Sequence, residues 1–181
     1  LFVCFSAEEL GLIGSKYLTE NSPVDLTQAN YMINMDMVGR LDPQTKALMI
    51  HGTGTSPVWE WLLKKLESPA LVIKTDSSGT GPSDHTSFYL KNIPVLHFFT
   101  GAHSDYHKPS DDHDKINYEG EAEVLTLIVK IIENLDGEPK LSFLQTKSKA
   151  TTSRSSFKVT VGIMPSYSSS GDGLKVDGVT D

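Results

Sequence analysis

"LFVCFSAEELGLIGS", residues 1–15, sets two adjacent glutamates, Glu8 and Glu9, where an apolar, strand-like run gives out and a glycine follows. In open α/β sheets, chemistry gathers at the carboxyl ends of strands, where the connecting loops converge. Four further runs share the character of the first: "NYMINMDMV" (30–38), "KALMIHG" (46–52), "ALVIKT" (70–75) and "IPVLHFF" (93–99). Each is short and rich in apolar or β-branched residues, which predicts strands. Between them, "SPVWEWLLKKLES" (56–68) offers an N-cap serine, a proline at the first helical position and apolar residues at helical spacing. "EGEAEVLTLIVKIIENL" (119–135) predicts a longer amphipathic helix, acidic at its start and closed by Asp136-Gly137. Strands interleaved with helices predict an α/β domain of three layers with a largely parallel sheet.

The bulk numbers narrow the function classes. The chain has 181 residues, 38% hydrophobic and 22% charged, with a net charge of −7. That sign argues against a nucleic-acid partner held through its phosphates. A single cysteine, Cys4, excludes an internal disulfide and a Cys-rich zinc site, and its apolar neighbours predict a buried, inert thiol. No apolar stretch is long enough for a membrane span. Leu1 stands in mid-strand, so the chain reads as a fragment whose N-terminal part is missing. After Pro139 the composition shifts: residues 141–156, "LSFLQTKSKATTSRSS", are Ser/Thr/Lys-rich and read as a linker. "FKVTVGIMP" (157–165) and "GLKVDGVTD" (173–181) are two strand signals, too few to bury a core alone, and predict a truncated hairpin opening a second domain.

Three strand ends carry metal-competent groups. The first ends in Glu8 and Glu9, the second carries Asp36, and the last runs into His103, Asp105, His107, Asp111 and Asp112. Successive side chains on extended backbone point apart, so one glutamate can hold a cation while its neighbour faces a bound water. Asp36 lies among apolar residues and must either pair with a base such as Arg40 or coordinate a cation. His51 and His97 read as core or rim residues, His113 as solvated, and His85 as a group that Asp84 could orient. His107 and His103 are left as the two candidate ligands.

Together, "SAEELGLIGS", "NMDMVGR", "SDHTSF" and "DYHKPSDDHDKINYEG" occur in the order and approximate spacing of a known family. Over residues 1–136 the chain resembles the co-catalytic dizinc metallopeptidases, which include bacterial leucyl aminopeptidase, glutamate carboxypeptidase and glutaminyl cyclase. The resemblance implies a three-layer zinc-peptidase-like fold with a mixed, largely parallel sheet, here partial, with residues 1–140 its C-terminal part. It implies Glu8 as the general base and Glu9 and His107 as ligands of one zinc. Asp36 would be a ligand of the second zinc, and Tyr106 a group that steadies the oxyanion. Asp84 and His85 would be structural or supporting.

The family's histidine and bridging aspartate lie N-terminal to the double glutamate and have no counterpart here, so this polypeptide is expected to bind zinc poorly and be inactive. The parent is expected to be a zinc exopeptidase acting on peptides, an aminopeptidase first, in the periplasm or secreted. A glutaminyl-cyclase-like transferase with one zinc and a non-catalytic binding protein on the same scaffold are the alternatives. Arg40 could hold a substrate's terminal carboxylate, though a salt bridge is favoured, and the loop "TDSSGTGPSD" (75–84) could shape specificity. Residues 157–181 resemble the start of a PDZ domain, which would take an extended peptide beside a sheet edge. The stretch is too short to name that ligand.

Overall fold

The structure, a computed structural model, describes residues 1–146, 163–165 and 176–179. The chain divides into two compact units, Leu1–Lys149 and Ala150–Asp181. In the first unit the order is α1 (Ile13–Glu20), β1 (Met32–Met35), β2 (Ala47–His51), α2 (Val58–Lys65), β3 (Val72–Asp76), α3 (His85–Tyr89), β4 (Val95–Phe99) and α4 (Tyr118–Leu135). The four strands form one sheet in the order β1-β4-β2-β3. β1 runs parallel to β4 and β2 parallel to β3, while β2 and β4 are antiparallel. The expected mixed, mostly parallel α/β sheet is therefore present.

β4 is central because its side chains are apolar or aromatic on both faces. Leu96 and Phe98 are fully buried on one side with Leu48 and Ile50 of β2. α2 covers this face with Trp59, Leu62 and Leu63, and α4 with Val124, Leu127, Ile128, Ile131 and Leu135. Val95 points to the opposite face. There it meets Phe88, Tyr89 and Ile93, with Leu18 of α1 and Met32 packed alongside. Two helical layers with a sheet between them follow from that alternation.

α4 begins as its sequence asks, with one addition: Asn117 accepts the Gly120 N–H at 3.0 Å, a side-chain cap. α2 starts one residue later than expected. Pro57 stands at its N-cap, and the buried Ser56 hydroxyl makes no hydrogen bond. The extended backbone of Ser56 closes the turn through its carbonyl, so the serine side chain does not cap.

Two expectations fail at the start of the chain. Residues 1–5 join no ladder among the described residues, and Leu1 and Phe2 are more than nine-tenths exposed. Apolar side chains can be covered on two faces only when the backbone between them finds a neighbouring strand, and this run finds none. Cys4 is consequently exposed, not buried. Only Phe5 is drawn in, its ring 5.9 Å from that of Phe88.

Residues 141–146, expected to begin the linker, lie against the first unit. Leu141 is buried in the larger core, the Leu144 N–H reaches Thr55 O at 2.8 Å, and the Thr146 N–H reaches the Tyr89 hydroxyl at 3.0 Å. In the second unit, β5 (Ile163–Pro165) and β6 (Val176–Val179) pair antiparallel. The remaining linker and PDZ-like residues lie outside the described residues. No helix among the described residues is long and apolar enough to cross a membrane.

Candidate active site

The two glutamates leave a tight turn rather than a strand. Glu8 O accepts from the N–H groups of Gly11 and Leu12 at 2.9 and 2.7 Å, and Ser6 O accepts from Gly14 at 3.0 Å. Ala7 and Leu12 take positive φ, 54° and 61°, on either side of the pair. A Cβ on Gly14 would stand 2.4 Å from Ser6 O, so the turn closes only with glycine there. The turn leaves Glu8 half-buried and Glu9 exposed. Across 98 residues of chain, Glu9 Oε1 lies 2.6 Å from His107 Nε2. The Tyr106 ring stacks on that imidazole, centroids 3.8 Å apart.

Asp36 follows β1 directly, and its N–H extends the pairing to Phe98 O at 3.2 Å. Because β1 and β4 are parallel, Asp36 and the loop after Phe99 leave the same edge of the sheet. Asp36 is not paired with Arg40. Its Oδ2 accepts the Ser83 hydroxyl at 2.8 Å, and Asn34 Nδ2 donates to Ser83 Oγ at 2.7 Å. The same amide nitrogen lies 3.0 Å from His97 Nδ1. Burial, with His85 and His51 beside it, pushes His97 down to about 2. The ring is thus neutral and its Nδ1 can accept. Burial likewise lowers His85 to about 3, and its ring stacks 4.5 Å from that of His97.

Glu8 feels the charged groups around it. Partial burial first, then the charges of Glu9, Asp36 and Asp84, raise it to about 7, against a lowering by His107. A carboxyl raised this far exchanges its proton near neutral pH in the metal-free chain. Asp84 is raised as well, by burial and by Asp36, with Ser15 opposing.

The two histidines left open by the sequence have different carboxylate partners. His107 meets Glu9, whereas His103 lies 3.6 Å from Asp111. Arg40 spans Asp105 and Asp111, at 3.2 and 3.0 Å. His113 and Asp112 are exposed. Sequence reasoning missed Asn34 and Ser83. The signals were there: Asn34 stands two residues before Asp36, hence on the same strand face, and Ser83 opens the quoted "SDHTSF".

Glu9 and His107 are a carboxylate and an imidazole of the kind that bind zinc. Among the described residues, however, no three His, Cys, Asp or Glu side chains converge as a metal cage. A catalytic zinc takes three protein ligands, so the donor chemistry fits and the set present here is incomplete.

The model of peptidase family M28 matches residues 1–132. The chain belongs to peptidase family M28. This M28 chain is 28% identical over 162 residues to aminopeptidase YwaD of Bacillus subtilis, covering 83% of the chain and 35% of that protein. It is 34% identical over 116 residues to leupeptin-inactivating enzyme 1 of Streptomyces exfoliatus, 63% of the chain and 25% of the relative. Among solved structures it is similar to BSAP, a zinc aminopeptidase from Bacillus subtilis, with a TM-score of 0.60 and 26% identity over 77% of this chain and 35% of that one. A glutaminyl cyclase from Bacteroides thetaiotaomicron shares the fold, with a TM-score of 0.55 at 21% identity. The chain thus spans about a third or less of these curated relatives.

Proposed function

We propose that this M28 chain is part of a zinc-dependent aminopeptidase that releases N-terminal residues from peptides. The contact between Glu9 and His107, with Glu8 beside it under the field of Asp36 and Asp84, carries the reading. In this assignment Glu9 and His107 hold one zinc and Asp36 helps to hold a second. Zinc, when bound, lowers the pKa of a water and polarises a carbonyl. Glu8 takes the proton from the attacking water and delivers it to the leaving amine. In the same assignment Tyr106, whose ring stacks on His107, would steady the developing oxyanion.

Arg40 supports an aminopeptidase over a carboxypeptidase. Its charge is already offset by Asp105 and Asp111, which disfavours it as a clamp for a substrate's carboxylate. The aminopeptidase names of the relatives support the same choice. A periplasmic or secreted setting and a PDZ-like peptide-binding module over residues 157–181 belong to the same proposal.

The incomplete donor set makes a direct test possible. Calorimetric titration of the 181-residue chain with Zn2+ is expected to give weak binding, with turnover of leucyl substrates absent. Two tightly bound zinc ions per chain would contradict the ligand assignment.

A further inference from the structure

The geometry points to Arg40 as the positioning residue that holds the His107 loop in register with Asp36. The loop between β4 and α4 is long, and the segment just after Asp36 ties it at three places. At its start, the Thr100 N–H and hydroxyl both reach Met37 O, at 3.2 and 2.5 Å. At its end, the Asn117 N–H reaches Gly39 O at 2.9 Å. Between these necks, Arg40 grips two acids on either side of His107: Nη2 to Asp105 at 3.2 Å and Nη1 to Asp111 at 3.0 Å. Lys115 and Ser110 add hydrogen bonds to the other Asp105 oxygen, both at 2.7 Å. The five residues Asp36 to Arg40 thus present one candidate ligand and fasten the loop that presents another.

The brace has something to hold. His107 takes a positive φ of 56°, a conformation that a side chain with a Cβ adopts only when its surroundings over-determine it. A fork that spans two carboxylates fixes direction as well as distance, which a lysine ammonium cannot do. The Arg40 and Asp105 side chains are only 22% and 16% exposed, so this pair is less screened than an ordinary surface bridge.

The metal half of this inference rests on His107 being a zinc ligand, as proposed above; the mechanical half does not. The test uses the full metal-free chain, comparing wild type, Arg40→Gln and Arg40→Lys. Amide hydrogen exchange over residues 103–111 is expected to quicken about 10-fold in Arg40→Gln, with β4 and α4 unchanged. The 15N signals of the His107 imidazole should shift as the contact with Glu9 loosens, and Arg40→Lys should restore part of both. Titration with Zn2+ alone should show about 10-fold weaker binding in Arg40→Gln.

Unchanged exchange over 103–111 would overturn the inference, as would equal loosening of β4 and α4. If Arg40→Gln fails to fold, Asp111→Asn weakens one of the two Arg40 bridges while leaving the Lys115 and Ser110 bonds to Asp105 in place, and a smaller quickening over 103–111 is then expected, its absence overturning the inference. A loosened loop with unchanged Zn2+ binding upholds the brace and counts against His107 as a ligand, so the two readings fail separately.

Discussion

Asp36 owes its setting to residues with no metal chemistry of their own. Ser83 donates to it, Asn34 donates to Ser83, and Asn34 sits opposite His97 in the β1–β4 register. The amide anchors both the hydroxyl and the buried imidazole, so the carboxylate is reached from the core by a continuous chain of hydrogen bonds. The histidines at its inner end tie stability to pH. His85 and His97 are depressed to about 3 and about 2 by burial, well below the 6.5 of an unfolded histidine. Below pH 6.5 the unfolded chain therefore takes up protons that the native state refuses, and native stability falls as pH falls. Each such histidine contributes a slope of up to about 1.4 kcal/mol per pH unit. Urea unfolding between pH 7 and pH 4 should reveal this, with a shallower slope in His85→Leu. An unchanged slope in that variant would mean that His85 is not held neutral.

At the scale of elements, what could be read from the sequence is what periodicity writes. β1 to β4, α2 and α4 are carried by alternating or 3.6-residue apolar patterns, and each stands within a few residues of its expected place. α1 and α3 were not legible. α1 starts after Leu12 in a left-handed conformation without a side-chain cap, and α3 is only five residues long and uncapped, so neither carries a start signal. The first run failed for the opposite reason: its pattern is strand-like, but strand formation needs a partner, which no local pattern specifies.

α4 offers a sharp test of the layer assignment, because adjacent isoleucines face opposite ways. Ile131 is fully buried and Ile132 is 41% exposed. Ile131→Ala should cost about 2–5 kcal/mol in urea unfolding, and Ile132→Ala within about 1 kcal/mol. Equal costs would contradict the packing of α4 on the sheet.

Across the whole molecule, the candidate site joins three distant stretches: the turn at Glu8 and Glu9, the end of β1, and the loop after β4. The residue types were legible from the sequence because carboxylates and a histidine at strand ends are conspicuous. Their mutual placement was not, since the parallel β1–β4 ladder and the Arg40 brace arise from contacts more than 60 residues apart in the chain. Glu8 reports on that convergence directly. In the metal-free chain, 13C NMR of the Glu8 carboxyl should titrate with a midpoint at about 7, raised by burial and by Glu9, Asp36 and Asp84 from the ordinary 4.5. Asp36→Asn should move the midpoint downward. A wild-type midpoint near 4.5, unmoved by that substitution, would show that Glu8 and Asp36 do not share one site.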